Sequence, residues 1–245
     1  KSGRFVVRAC PGSGKTYCVS ARLARLINEW KEDYTGIAAV SFTNVAWKEI
    51  EKKYKEEFSS NQSISFPHFI GTLDSFINQF IFLPFGHLVM NCNKRPTLVG
   101  EPHSSWTYRT YDRDPHQYFD KCSFDVSGNL IRIAPAQSFQ FSWKNNKNGA
   151  TNGHVLNLLA AKKELVTLGY ANQSDANYFA MKVLEQFPSI CQAVALRFPT
   201  LIVDEAQDTS EVQMRIIDLL AASGLNEIML VGDPDQAIFE WNGAR

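Results

Sequence analysis

Two groups of residues in this sequence have types and spacing suited to phosphate chemistry. The first, Ala9-Cys10-Pro11-Gly12-Ser13-Gly14-Lys15-Thr16, reads as a phosphate-binding loop. Gly12 and Gly14 admit backbone angles that a Cβ forbids, so successive N–H groups can turn inward and cradle phosphate oxygens at a helix N-terminus. Lys15 supplies a mobile positive charge for the β and γ phosphates, and Thr16 a hydroxyl for Mg2+. The strict pattern places Gly six residues before the Lys, where this chain has Ala9. Ala9, Gly12, Ser13, Gly14, Lys15 and Thr16 are the expected nucleotide contacts, joined by Tyr17 and, from the second group, Gln207.

The second group is Asp204-Glu205-Ala206-Gln207-Asp208, directly after the apolar run Thr200-Leu201-Ile202-Val203. Asp204 would hold Mg2+ through its water shell, opposite Thr16. Glu205 would accept a proton from, or orient, the water that attacks a γ-phosphate. Both roles are needed, because the metal offsets phosphate charge while a separate group places the nucleophile in line. An Asp-Glu pair after a strand can also simply cap the next helix; the glycine loop upstream favours hydrolysis. Gln236 follows another apolar run and suits a catalytic group that senses the γ-phosphate, or a turn residue.

Positioning these groups requires strands that end in them. Phe5-Val6-Val7-Arg8-Ala9 has the composition of a buried strand, and Tyr17 to Trp30 a helical spacing of apolar residues without Pro or Gly. Strand, glycine loop and helix together are what the motif demands. Gly36 to Phe42 repeats the strand signal and is followed by a charged helical stretch to Phe58. His68 to Thr72 repeats it again, with Asp74 as the expected N-cap of Ser75 to Ile81. Three strand-then-helix units predict a parallel sheet covered by helices. Thr200–Val203 and Ile228–Val231 are continuous apolar runs ending in carboxylates. In an open α/β sheet the ligand sits at the carboxyl ends of the strands, so these acids should converge on the glycine loop.

Between residues 84 and about 150 the regularity stops. Five prolines fall there, with a hairpin expected from Phe124-Asp125-Val126 and Leu130 to Ile133 about Ser127-Gly128-Asn129. Lys144 to Gly153 reads as a polar loop. Helices are expected at 154–168, at 174–186 with Ser174 as N-cap, and at 189–198.

Composition bounds the rest. The chain has 245 residues, 44% hydrophobic and 20% charged, which is ordinary globular composition. No stretch spans a membrane, the start lacks the pattern of a signal peptide, and five widely spaced cysteines read as reduced cytosolic thiols, so the expected location is cytoplasmic. Net charge is zero, yet nine acids and only two bases follow Leu201, leaving a surplus of seven bases in the first 200 residues. That bias is compatible with a phosphate-rich partner and with an ordinary solvated surface.

Taken together, the motifs resemble superfamily 1 helicases of the UvrD and Rep type. Ala9 to Thr16 is similar to their motif I, including Ala for the first Gly. Ser41-Phe42-Thr43-Asn44 is similar to motif Ia, Gly71 to Phe76 to motif Ib, Val203 to Ser210 to motif II, and Val231 to Ala244 to motif III. The resemblance implies a RecA-like P-loop parallel sheet with helices on both faces (1–83 and 199–245), interrupted by an inserted mixed α+β subdomain of the 1B type (84–198). It implies ATP and Mg2+ as cofactors and single-stranded or partly duplex DNA as partner. A second RecA-like domain, whose arginines would complete the ATP site, is expected outside this chain, and the piece alone should hydrolyse ATP poorly.

By the same resemblance, Phe42 would line a pocket for a base, Asn44 and Thr72 would touch the DNA backbone, and Phe239 and Trp241 would stack on bases. Aromatic stacking tolerates any sequence because every base has a π-face. Phe42 and Phe239 also sit beside expected buried strands, where a core role is open to them. The chain departs from the family at Val45, usually Lys, at Asp74, usually His, and at Asn242, usually Arg. These departures weaken the usual DNA contacts and leave ATP binding intact. The Gly-Thr-x-Asp form of motif Ib is similar to the helicase-like subunit of Gabija-type anti-phage systems. Trp106 to Arg113 alternates aromatic and polar residues, as an amphipathic strand or a nucleic-acid surface would. Two functions follow: the ATPase half of a DNA helicase or translocase, or a nucleotide-gated ATPase module of a defence or signalling complex that meets a protein partner through 84–198 and unwinds nothing.

Overall fold

The computed structural model describes residues 3–8, 14–57, 64–100, 102–103, 122–132 and 162–233. Among them the strands are, in chain order, β1 (Gly3–Arg8), β2 (Ile37–Ser41), β3 (Phe69–Thr72), β4 (Thr97–Leu98), β5 (Cys122–Phe124), β6 (Leu130–Arg132), β7 (Tyr170–Ala171), β8 (Thr200–Val203) and β9 (Glu227–Gly232). The helices that matter below are α1 (Lys15–Glu29), α2 (Asn44–Glu57), α3 (Leu73–Ile77), α4 (Gln173–Gln186), α5 (Pro188–Arg197) and α6 (Glu211–Ala222).

Five strands form one sheet in the order β1-β9-β8-β2-β3, and every neighbouring pair is parallel. β2 and β8 are buried at every position, as interior strands covered on both faces require of their continuous apolar sequences. β1, at one edge of the described sheet, alternates half-buried and exposed residues, the period-two pattern of a strand covered on one face. On one face, Val19 and Leu23 of α1 and Ile50 of α2 pack with Ile37, Ala39, Ile202, Met229 and Val231. On the other, Leu201 lies among Phe76, Val194, Ala195, Phe198 and Leu220, from α3, α5 with its C-cap, and α6. The rings of Phe69, Phe76, Phe80 and Phe198 meet there at centroid distances of 4.6–6.5 Å. The expected parallel α/β sheet with helices on both faces is therefore observed. Each fully buried aliphatic side chain contributes about 1.5–3 kcal/mol, so truncating Leu23 to Ala would cost roughly 2–5 kcal/mol.

Within and beside the sheet unit, local boundaries correct the sequence reading at His68 and at two helix caps. His68 lies outside β3, because its ring Nδ1 accepts from the Ile37 N–H at 3.2 Å and so replaces a backbone ladder bond. The cap of α3 is Thr72 rather than Asp74: Thr72 Oγ1 accepts from the Ser75 N–H at 3.1 Å, and the helix starts at Leu73. The cap of α4 is Asn172 rather than Ser174. Asn172 Oδ1 accepts from the Asp175 N–H at 2.9 Å while Asp175 Oδ2 accepts from the Asn172 N–H at 3.3 Å, the reciprocal geometry of a capping box.

The chain divides into two compact units, Lys1–Ile81 with Leu184–Arg245, and Phe82–Val183. The first holds the sheet and groups α5 with it. In the second, β4 and β7 pair in parallel, and β5 and β6 form an antiparallel hairpin. Asp125 closes its turn: Oδ1 accepts from the N–H groups of Asn129 and Ser127 at 2.8 and 2.9 Å, which holds the carboxyl below the usual range. Asp125 and Val126 thus belong to the turn and not to the strand expected from sequence. Lys162 and Asp175 form a buried ion pair at 2.8 Å, and deleting either partner would strand a charge at a cost of about 3–5 kcal/mol. The expected segments Trp106–Arg113 and Lys144–Gly153 lie outside the described residues. Among the described residues, no helix is long and apolar enough to cross a membrane.

Candidate nucleotide site

Because the five strands are parallel, Arg8, Ser41, Thr72, Val203 and Gly232 all stand at one edge of the sheet. The strand that feeds the glycine loop and the strand that feeds Asp204 are separated only by β9. Two strand spacings, roughly 10 Å, lie between them, a span that triphosphate oxygens and a metal can bridge.

On the loop side, Gly14 is the N-cap of α1 with φ 82° and ψ 26°, a left-handed conformation that explains why glycine stands there. Its carbonyl accepts from the Cys18 N–H at 3.0 Å. The cap makes no side-chain hydrogen bond and the first turn holds no acid, so the helix end presents its N–H groups and positive dipole to an incoming anion. Lys15 and Thr16 are half-buried in that turn, and Tyr17 is exposed. Ala9, Gly12 and Ser13 lie outside the described residues.

On the strand side, β8 runs on through a bond from the Asp204 N–H to the Val40 carbonyl at 2.8 Å. Asp204 is 3% exposed, and its Oδ1 has no hydrogen-bond partner among the described residues. Burial, and then the neighbouring Glu205 carboxylate, push its carboxyl up to about 6. A buried carboxylate oxygen left without a donor is costly, and a divalent cation supplies the missing positive charge, so the residues present fit Mg2+.

Glu205 has a left-handed backbone, φ 52° and ψ 42°, which costs a non-glycine residue roughly 1–2 kcal/mol. Its side chain is fixed by two donors on one oxygen. Lys15 Nζ lies 3.1 Å and Gln207 Nε2 2.6 Å from Oε2. Gln207 is 4% exposed, and its Oε1 accepts from the Asp233 N–H at 3.1 Å, joining the loop after β8 to the end of β9. The carboxyl of Asp208 is raised by burial and by Glu205. Lys15 and Glu205, widely separated in sequence, are thus brought together. Gln207 is buried between protein groups, with both ends of its amide engaged.

Of the residues expected to meet DNA, Phe42, Asn44 and Thr72 sit at the exits of β2 and β3. Phe42 is 45% exposed, which removes the core role that sequence left open for it. Asn44 is exposed, and its Oδ1 accepts from Trp47 Nε1 at 3.1 Å. Val45, where the family usually has Lys, is 76% exposed. Thr72 spends its hydroxyl on capping α3, where it also lies 2.7 Å from Ser75 Oγ. Gln236, Phe239, Trp241 and Asn242 lie outside the described residues.

Sequence reasoning passed over Gln213. It is 4% exposed in the first turn of α6, where its Oε1 accepts from the Ser210 N–H at 2.9 Å and its Nε2 donates to Asp74 Oδ1 at 2.8 Å. The Ser-x-x-Gln spacing from Ser210 is a capping-box signature that could have flagged it; its pairing with Asp74, 139 residues away, left no sequence signal. Arg22, likewise unremarked, forks onto Glu227 with bonds of 2.7 and 2.7 Å from one terminal nitrogen and 3.2 Å from Nε, tying α1 to the start of β9.

Comparison with known proteins agrees with this geometry. The family model described as UvrD/REP helicase N-terminal domain matches residues 1–245. The ATP-dependent DNA helicase Rep of Buchnera aphidicola is 26% identical over 258 residues, covering 99% of this chain and 37% of that protein. A probable DNA helicase II homolog of Mycoplasma capricolum is 24% identical, covering 96% of this chain and 32% of its own length. The Gabija protein GajB of Bacillus cereus is 27% identical, with coverage of 99% and 39%. The chain spans roughly a third of the length of such relatives. The Gly14 cap of α1, the strand-end carboxylates and a family match over residues 1–245 converge: the chain belongs to the UvrD/REP helicase N-terminal domain family.

Proposed function

We propose that this chain binds and hydrolyses ATP as part of a DNA helicase or translocase, acting on single-stranded or partly duplex DNA together with a second RecA-like domain. The observation that carries the reading is the meeting of Lys15 with Glu205 at 3.1 Å beside the buried, unpartnered Oδ1 of Asp204.

The chemistry follows from these groups. With ATP bound, the first-turn N–H groups of α1 and Lys15 hold the phosphates, and Lys15 exchanges Glu205 for a γ-phosphate oxygen. Glu205 keeps its bond from Gln207, which fixes its orientation while it takes a proton from the attacking water. The water oxygen bonds to the γ-phosphorus, the bond to the bridging oxygen breaks, and ADP leaves. Asp204 and Thr16 would hold Mg2+, which supplies positive charge against the phosphate oxygens. Gln236 reads the γ-phosphate; Tyr17 and Gln207 belong to the nucleotide surroundings. Phe42, Asn44, Thr72, Phe239 and Trp241 form the DNA contacts, and 84–198 is an inserted subdomain of the 1B type.

The test is ATP turnover by the full-length protein with and without oligo(dT), in wild type, Lys15→Ala and Trp241→Ala. Wild type should be stimulated by DNA, Lys15→Ala should be inactive, and Trp241→Ala should turn over without stimulation. Turnover indifferent to DNA in wild type would overturn the helicase reading.

That second outcome would favour a nucleotide-gated ATPase module that contacts a protein partner. The 76% exposed Val45, standing where the family usually has Lys, is the observation on its side. Strand displacement by the full-length protein, lost in Lys15→Ala, would decide against it.

A further inference from the structure

The segment that leaves β8 carries Asp204 and Glu205, and buried glutamines tie it on two sides. Gln207 joins it to the end of β9, through the Asp233 N–H. Gln213, at the start of the helix that follows, joins it to the end of β3, through Asp74. Asp74 lies two residues after Thr72, at the strand exit proposed above to touch DNA. Both ends of the Gln213 amide are engaged: its oxygen holds the Ser210 N–H and lies 3.0 Å from the Ser210 hydroxyl, and its nitrogen donates to Asp74. At 4% exposure it cannot exchange these partners for water. Thr72, Asp74, Gln213, Ser210 and Glu205 therefore form a short run of directly bonded or closely spaced chain between the two proposed sites. Asp74, which departs from the family's usual His, is the acceptor that this arrangement uses.

We propose that Gln213 is a positioning residue that, with Asp74, couples the nucleotide site to the DNA-contacting exit of β3. This rests on the ATPase and DNA reading above. When the loop after Glu205 shifts with nucleotide state, the start of α6 moves with it through Ser210, and the Gln213 amide carries that displacement to Asp74 and the Thr72 cap. Coupling of this kind is reciprocal: DNA must raise affinity for nucleotide by the same factor as nucleotide raises affinity for DNA.

The experiment uses the full-length protein and compares wild type with Gln213→Leu, Asp74→Leu, Asp74→Asn and Lys15→Ala. ATP turnover is measured with and without oligo(dT), and the affinity of a fluorescent non-hydrolysable ATP analogue is measured under the same two conditions. Gln213→Leu and Asp74→Leu should keep DNA-independent turnover within about twofold and lose at least about fivefold of both the stimulation and the DNA-induced gain in analogue affinity. Asp74→Asn, which keeps a carbonyl acceptor for the Gln213 amide, should retain both. If Gln213→Leu melts below wild type, the contrast between Asp74→Leu and Asp74→Asn carries the test. An inactive Lys15→Ala together with full stimulation in Gln213→Leu or Asp74→Leu overturns the coupling role alone. A Lys15→Ala protein that still turns over ATP overturns the hydrolysis reading and the coupling with it.

Discussion

The exits of β1 and β8 and the exits of β2 and β3 lie on the same edge of one sheet, yet they are built differently. At the first pair, charged groups are sunk and held. Asp204 is buried, Lys15 and Glu205 are paired, and Gln207 fixes the carboxylate from inside. At the second, Phe42, Asn44 and Val45 after β2 face solvent, and Asp74 after β3 reaches inward, to Gln213. The contrast fits the two kinds of work proposed above. Moving a phosphoryl group depends on preorganised charge in a dry setting. Holding a polymer that must be released and regripped calls for accessible surface with small individual contributions.

The largest effect expected from attacking this contrast is on the buried side: Lys15→Ala should lower ATP turnover of the full-length protein by about 10²–10³-fold, measured as steady-state phosphate release. Next comes Asp204→Asn. The Asp204 carboxyl rises from 3.8 to about 6 on folding, so its favourable contribution is complete below pH 3.8 and is lost as the pH climbs through 6. Above that, a buried charge opposes folding by at most about 3 kcal/mol. Without Mg2+, Asp204→Asn should therefore melt higher than wild type at pH 8 and no higher at pH 4. Added Mg2+ should raise the melting temperature of wild type at pH 8 and leave the variant unmoved. An equal gain at both pH values would mean that the carboxylate charge is not what is being relieved.

On the exposed side, Phe42→Ala should weaken oligo(dT) binding by about 1–3 kcal/mol in a fluorescence titration while changing stability by no more than about 0.5 kcal/mol. A large loss of stability with unchanged binding would return Phe42 to the core. The smallest effect is a gain: Val45→Lys should steepen the dependence of log affinity on log salt by about one. An unchanged slope would place Val45 away from the DNA path.

The elements that position the site were legible in the sequence because they combine strong signals. Continuous apolar runs ending in carboxylates gave β8 and β9, and a glycine loop between an apolar run and a helical repeat gave β1 and α1. Caps were read less well. Thr72 and Asp74, or Asn172 and Ser174, are all good capping types within two residues of each other. Which one caps depends on the residue at which the backbone turns helical, and composition does not encode that. Tertiary bonds were invisible for a related reason. The capping half of Gln213 is a local spacing, but its bond to Asp74 spans 139 residues. The Gln207 bond to Asp233 requires knowing that β9 lies next to β8.

The left-handed backbone at Glu205 sets stability and chemistry against each other at a single residue. Glycine at 205 would relieve the strain and abolish the proposed proton acceptor, and it would also take away the oxygen that holds Lys15 and the buried Gln207, so relief of the backbone and loss of these bonds oppose each other in the melting temperature. Screening for turnover should retain glutamate whatever the melting temperature. Position 205 is thus where directed evolution of this protein would first reveal which property was being selected.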